Sequence, residues 1–447
     1  MSRLAMVGGE RTVRPQDTGA AVAWPVITEA EHAAVQGVLD GGLFTSNDGG
    51  RGEVSGLQRD WAAYVGTRHC AAVVNGTAAL ELALAALDLA PGDEVLVPAL
   101  TFIGTAIPVV QRMLVPVFVD VDPVTYTMDP VRAEAAVTPR TRAILVVHLH
   151  GLPADMAALR AVADRHGLAL IEDAAQAQGA TYRGRRAGAL ADIAATSLNV
   201  VKNLPTCGEG GLVTTDDDTL FERVVLRRQF GEDLRAGAER DYLSRVLAGN
   251  AKLSAVQAAF TRAQLARLPE YAAARNANVT AFLDRLAALP GIGVPMCPPD
   301  RTHAWHIVRL RFDPAALGRP DIAPGALRTV LKRALRAEGV PMQQYQVLPL
   351  PLQPAFQRRE GYGGLPWTLP GVPAVRNSTE DHPVTLAVLE DSLTLQRWHL
   401  NPAAGPVLQR SADAFDKVWS QLDTILAIAA RTEYRPLWQR TAEAVPA

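Results

Sequence analysis

Lysine is scarce in this chain of 447 residues. Of its 44 basic residues only Lys202, Lys252, Lys332 and Lys417 are lysine. Cysteine is scarcer still. Cys70, Cys207 and Cys297 are odd in number and far apart, which excludes a disulfide framework or a cysteine-based metal knuckle and fits a reducing cytoplasm. A formal net charge of −2, with scattered arginines and no basic run interleaved with aromatics, provides no general attraction to nucleic acid or to an anionic membrane. Long apolar runs are missing too. Residues 1–10 lack the apolar core of a signal peptide, and the most apolar stretch, 71–90, is interrupted by Asn75, Glu81 and Asp88. Neither a Walker A sequence nor a dinucleotide fingerprint occurs, which disfavours a nucleotide-binding dehydrogenase. His148 and His150 have a spacing that could suit a metal, but no carboxylate or thiol pattern beside them completes a ligand set, so no metal is expected. These absences leave a soluble, cytoplasmic protein.

The chain is 48% apolar and 20% charged, and its length predicts two domains rather than one core. The reading is an N-terminal arm over 1–25, extended and without periodicity, a large domain over 26–289 and a smaller α/β domain over 290–447. Thr28, with Glu31 three residues on, marks a capped helix to residue 40, and 44–56 reads as a loop. Short apolar runs at 71–74, 94–98, 115–121, 143–148, 168–172 and 193–197 then alternate with helical stretches. That pattern predicts an α/β fold with a mostly parallel central sheet covered on both faces. Past Gly211 helices are expected at 216–230 and 253–289, the latter as more than one helix. A Pro- and Gly-rich boundary at 290–299 precedes a strand at 306–312, a helix at 324–338, a long loop at 345–377, and helices at 383–397 and 411–431.

Ligands on parallel sheets sit at the carboxyl ends of the strands, so the residues just after each apolar run matter most. The first run leads into Asn75-Gly76-Thr77, a glycine-containing helix start able to hold an anion. The second leads to Phe102, an aromatic able to stack on a planar ligand. The fifth ends in Glu172-Asp173, an acid that needs a partner if buried. The sixth ends at Ser197, and Lys202 follows five residues later. Arginine stays protonated and cannot form a Schiff base, whereas lysine can. An anion site, a stacking ring, an acid for a pyridine nitrogen and a lysine for an aldehyde are the groups that pyridoxal 5′-phosphate requires.

The runs 75–84 (NGTAALELAL), 98–102 (PALTF), 172–177 (EDAAQA), 202–204 (KNL), 208–211 (GEGG) and 249–250 (GN) resemble the DegT/DnrJ/StrS aminotransferases over about residues 20–350. Gly8-Gly9, Trp24-Pro25 and 137–141 (VTPRT) are similar to the cyclitol aminotransferase and 3-amino-5-hydroxybenzoate synthase branch. The resemblance implies a fold-type I enzyme dependent on pyridoxal 5′-phosphate. It implies Lys202 as Schiff-base lysine and proton carrier, and Asp173 on the pyridinium nitrogen. Gln176 would lie near the ring hydroxyl and Phe102 over the ring, with Gly76, Thr77, Ala78 and Ser197 at the phosphate. Asn250 would come from a second subunit, hence a homodimer with a shared site. The implied reaction moves an amino group from Glu or Gln to a keto group of a sugar nucleotide or cyclitol.

Several departures bear on this reading. Gln178 stands where the family often has histidine, and Asn250-Ala251-Lys252-Leu253-Ser254 replaces Asn-Tyr-Arg-Met-Ser, which makes Lys252 the second lysine of interest. Cys207 reads as a small buried residue or a reactive thiol. The acceptor is left open, and the segments 44–56 and 345–377 are expected to choose it. A dehydratase of the same family would carry histidine in place of Lys202, so that branch is disfavoured; an aromatising synthase stays open, while intact Asp173 and Lys202 argue against a non-catalytic regulatory relative.

Overall fold

The computed structural model describes residues 3–46, 50–233, 240–359, 362–373 and 377–439. Residues 47–49 of the expected 44–56 loop, 360–361 and 374–376 of the 345–377 loop, and 440–447 of the C-terminal region lie outside the described residues. Apolar runs become strands β1 His69–Val73, β2 Glu94–Pro98, β3 Val115–Val119, β4 Thr141–Val147 and β5 Ala169–Asp173. A small hairpin, β6 Thr181–Tyr182 with β7 Arg185–Arg186, precedes β8 Ile193–Ser197 and β9 Gly211–Thr215. The central sheet has the order β1-β9-β8-β5-β4-β2-β3. Its pairings are parallel except on the two sides of β9. Fully buried residues such as Ala71, Val97, Leu145 and Ile171 explain why these strands read as continuous apolar runs.

β9 is a correction to the sequence reading, which treated Gly211 as the end of a turn before a helix. The strand Gly-Leu-Val-Thr-Thr is short and starts on the glycine itself. It becomes a strand because both of its edges are paired, with β1 and with β8. Of the helices α1 Glu29–Gly41, α2 Glu53–Val65 and α3 Gly76–Ala86, α2 packs on one face here with Ala72 and Leu212, α3 on the other with Ala71 and Val213, and α1 adds Val38 to the cluster of α2. Thr28 caps α1 as expected: its backbone N–H donates to Glu31 Oε2 at 2.7 Å.

The opening segment, read as an extended arm, instead folds into three 3-10 turns, Ala5–Val7, Pro15–Asp17 and Gly19–Val22. Leu4 and Val13 are buried in an apolar cluster with residues of the C-terminal half, including Leu310, Leu331, Leu395 and Phe415. A buried carboxylate fixes this arrangement. Glu338 accepts from the N–H of Ala5 at 2.8 Å, from Thr12 Oγ1 at 2.8 Å and from Lys417 Nζ at 2.9 Å.

The 253–289 segment is one continuous helix, Ala255–Ala287, with Pro269 inside it. Its first half packs with α2 through Ala258, Leu265 and Leu268. Its second half contributes Val279, Phe282 and Leu286 to the C-terminal cluster. Apolar partners on both halves carry the helix past a proline that removes one main-chain hydrogen bond.

A second sheet is antiparallel, with β10 Ile292–Gly293, β11 Ile307–Phe312 and β12 Ser392–Gln396 in that order. β12 corrects the expected helix over 383–397, which stops at Asp391. Ser392-Leu-Thr-Leu-Gln alternates with period two, and Leu393 and Leu395 enter the core while Thr394 bonds to the Gln343 carbonyl. The expected helix at 411–431 is two, Gly405–Trp419 and Leu422–Ala430. The 345–377 loop carries short helical turns at Leu350–Leu352 and Pro354–Arg358. It is fastened to the central sheet, with the Leu350 N–H on the Ala99 carbonyl at 2.9 Å and Phe356 edge-on to Phe118.

Candidate active site

β9 decides where the first wall of the site lies. Gly211 pairs with Val73 at the end of β1 and with Ser197 at the end of β8, so the β1–α3 turn and Ser197 are drawn together. The approach is closer than any side chain allows. A Cβ on Gly211 would stand 2.4 Å from the Asn75 carbonyl oxygen, and one on Gly76 would stand 2.7 Å from Ser197 Cβ. Asn75 caps α3 by accepting the Ala78 N–H at 2.8 Å. The N–H groups of Gly76 and Thr77 have no protein acceptor among the described residues, and they head the helix beside the Ser197 hydroxyl. Unpaired N–H groups at a helix start form a site for an anion such as phosphate.

Asp173 closes β5 and is 5% exposed. Its Oδ2 accepts from Thr105 Oγ1 at 2.8 Å and its Oδ1 from the Ala175 N–H at 3.1 Å. Thr101 and Thr105 are themselves 3.0 Å apart through their hydroxyls. Burial raises the Asp173 pKa, opposed by these hydrogen bonds and by the charge of Lys202. The neighbouring Glu172 serves the fold: it takes the Leu190 N–H at 2.9 Å and faces His148 Nε2 at 3.0 Å. His148 is therefore a structural group. Among the described residues no cluster of three His, Cys, Asp or Glu could hold a metal.

Lys202 lies in the β8–β9 connection, where its N–H donates to the Asn199 carbonyl at 2.8 Å. Desolvation lowers its pKa to about 8, while the charges of Asp173 and Glu209 pull it back up. A lysine in that state loses its proton far more readily than one in water.

One cavity of about 670 Å³ gathers Gly76, Thr77, Phe102, Asp173, Gln176, Ser197 and Lys202. Phe102 forms a wall and is 57% exposed. Gln176 is held by its Oε1, which accepts the His150 N–H at 2.7 Å. Two sequence-predicted residues are not on the lining. Ala78 is one position further into α3, its N–H already taken by Asn75. Asn250 is exposed, in an antiparallel bridge with Gln229. Gln178, the departure from the family's histidine, donates to the Ser197 carbonyl at 2.7 Å and so braces the first wall from behind.

Of the opposite wall the sequence singled out only the 345–377 loop, which supplies Tyr345. His306 and Ile307 at the start of β11, Tyr345, Gln396, Arg397 and Leu400 line it. His306 Nδ1 lies 3.1 Å from Asn203 Oδ1, and burial holds its pKa well below the usual range for histidine. Arg397 has a left-handed backbone (φ 68°) just past β12, is exposed and lines the cavity. Thr101 and Thr105, four residues apart in Thr-Phe-Ile-Gly-Thr, were the one missed pair with a readable spacing.

The sequence pattern of the DegT/DnrJ/EryC1/StrS aminotransferase family matches residues 25–369. The chain belongs to that family. Among its relatives within this group is dTDP-3-amino-3,4,6-trideoxy-alpha-D-glucose transaminase of Streptomyces venezuelae. The two are 40% identical over 324 residues, 72% of this chain and 79% of the relative. Of solved structures, 3-amino-5-hydroxybenzoic acid synthase superposes with a TM-score of 0.74 at 33% identity, covering 88% of this chain and 98% of that one. DesI, solved in the presence of its TDP-sugar product, gives a TM-score of 0.77 at 30% identity over 95% and 98% of the two chains. This member of the DegT/DnrJ/EryC1/StrS family is a pyridoxal-phosphate-dependent aminotransferase, of the fold expected for one. Its residues fit the cofactor: a glycine-tight helix head for the phosphate, a buried carboxylate and a lysine of lowered pKa share one cavity. Among the described residues no helix is long and apolar enough to cross a membrane.

Proposed function

We propose that this aminotransferase transfers an amino group from Glu or Gln to a keto group of a sugar nucleotide or cyclitol, in amino-sugar or antibiotic biosynthesis. The observation that carries the reading is the convergence of Lys202, Asp173 and the α3 head on one cavity. The relatives named for dTDP- and TDP-sugars support the sugar-nucleotide side of it. Bound here, pyridoxal 5′-phosphate supplies an aldehyde for amine exchange and a ring that accepts electrons.

The chain's residues do the rest. The N–H groups of Gly76 and Thr77 and the Ser197 hydroxyl hold the phosphate, with Ala78 at the same turn, and Phe102 covers one ring face. Asp173 accepts from the ring N–H and keeps that proton in place, and Gln176 orients the ring hydroxyl. Lys202 Nζ, its pKa lowered by burial, takes the proton from the α-carbon of the donor and later returns one at the former keto carbon of the acceptor. Asn250, exposed beside the bridge to Gln229, reaches the phosphate of a second copy, which makes the working unit a cytoplasmic homodimer.

Mixing the purified, cofactor-loaded protein with Glu or Gln tests this reading. The visible absorbance of the lysine-bound cofactor should shift to that of the amine form, and screening keto acceptors should restore it. Turnover of Lys202→Ala at the parent's rate would sink the mechanism. An aromatising synthase is the second reading, favoured by the likeness to 3-amino-5-hydroxybenzoic acid synthase. An aromatic product without net amino transfer would select it.

A further inference from the structure

Lys202 sits on a connection between strands, and connections are the mobile part of most folds. A group that must meet a reacting atom within a fraction of an ångström needs its backbone held. On the amide side the connection is laced to itself: Leu198 N–H to the Gly210 carbonyl at 2.7 Å, Val200 N–H to Gly208 at 2.9 Å, and Lys202 N–H to Asn199 at 2.8 Å. On the carbonyl side the partner is remote in sequence. The Trp24 indole N–H donates to the Lys202 carbonyl at 2.9 Å.

Trp24 is itself fastened. Its ring meets Tyr271 edge-on at 6.2 Å, and the Arg275 guanidinium lies over it at 5.6 Å. The main chain around it is gripped on both sides. Asn401 Nδ2 donates to the carbonyls of Ala20 at 3.0 Å and Ala23 at 2.8 Å, and Gln264 Nε2 to that of Val26 at 2.8 Å.

Arg275 is the unusual member. It is wholly buried, and its hydrogen bonds go to main-chain carbonyls, Leu400 at 3.2 Å and Ala304 at 3.3 Å. No carboxylate pairs with it among the described residues. A buried cation without a counter-ion is costly, and such costs persist where they order a site. The same Ala304 carbonyl accepts from Asn203 Nδ2 at 2.7 Å, so the residue after Lys202 hangs on the carbonyl that Arg275 holds.

We propose that Trp24 is a positioning residue for Lys202, fixing the lysine carbonyl from the N-terminal segment, with Arg275 holding the indole and the Ala304 carbonyl in register. The proposal rests on Lys202 being the residue that bonds the cofactor.

Trp24→Phe tests it in the full-length protein, since phenylalanine keeps an aromatic face for Arg275 and Tyr271 and deletes the N–H. The readout is the rate at which apoprotein captures pyridoxal 5′-phosphate on Lys202, trapped with cyanoborohydride and located by mass spectrometry, alongside a thermal melt. We expect capture about tenfold slower, the scale of one ordinary hydrogen bond, with kcat lowered in parallel and the acceptor KM and melting temperature nearly unchanged. Capture at the parent's rate would overturn the proposal, as would a loss matching only the unfolded fraction. If Trp24→Phe does not fold, Asn401→Asp decides. It keeps the cap on the following turn, where Asn401 Oδ1 accepts the Ala403 N–H at 2.8 Å, but cannot donate to Ala20 or Ala23. Slower capture in that folded variant supports the strap, and unchanged capture refutes it. Absence of any labelling at Lys202 in the parent would instead overturn the cofactor reading itself.

Discussion

The cavity has two walls of different construction. One is built from main chain and small residues at the ends of β1, β5 and β8, where Gly76, Gly211, Ser197 and Asp173 lie within a few bonds of a strand end. The other is built from side chains: His306 just before β11, Tyr345 on the long loop, Gln396 at the end of β12 and Arg397 just past it. The first wall has almost no freedom to vary, because a single added methyl collides with its neighbours. In the second the pairing of β11 with β12 is made by main chain, so it does not depend on which side chains face the cavity. A rigid, backbone-made wall suits a constant cofactor, and a side-chain wall suits an acceptor that differs between relatives.

The largest effects should come from the first wall. Asp173→Asn keeps the shape and removes the charge, so kcat should fall by about 10²–10³-fold, the usual scale for losing one pre-organised electrostatic partner. Steady-state kinetics on the loaded enzyme measures it. Gly76→Val should come next, with cofactor affinity weakened by about 10–100-fold because the side chain must push Ser197 away. Cofactor titration followed by absorbance checks it. Arg397→Met should act differently, raising KM for an anionic substrate by about tenfold while leaving cofactor affinity untouched. If Arg397→Met weakened cofactor binding and Gly76→Val did not, the contrast between the walls would be broken.

The smallest effect concerns pH. Lys202 must be neutral to attack an aldehyde, and its pKa is lowered to about 8. Capture of pyridoxal by the apoprotein should therefore rise as pH increases through about 8 and then level. Glu209→Gln removes a charge that raises this pKa, so the rise should move to lower pH; stopped-flow absorbance at a series of pH values measures both.

The same contrast explains what could be read before the fold was known. Gly76, Asp173, Ser197 and Lys202 were legible because each follows an apolar run by a fixed few residues, and chain order alone brings them to one edge of a parallel sheet. What makes that edge tight was not legible. β9 opens on Gly211, a residue that in sequence looks like the end of a turn, and its role appears only through pairing on both sides. β12 was hidden for a related reason: its five residues follow a helix without a break, and only the burial of Leu393 and Leu395 declares the period. Residues 3–24 carry no periodicity at all. Their order comes from Glu338 and Asn401, more than three hundred residues away, and no local signal encodes such a partner.

The helix Ala255–Ala287 joins these two halves of the molecule. Its N-terminal half belongs to the core under the first wall, and its C-terminal half to the core under the second. The part of it beyond Pro269 amounts to a lever arm of about 27 Å. A bend of about 2° at the proline would displace the far end by about 1 Å. Laboratory evolution toward new acceptors thus has a target that touches no ligand: substitutions packed around residue 269, which would adjust the gap between the walls as a hinge pin sets the fit of a door.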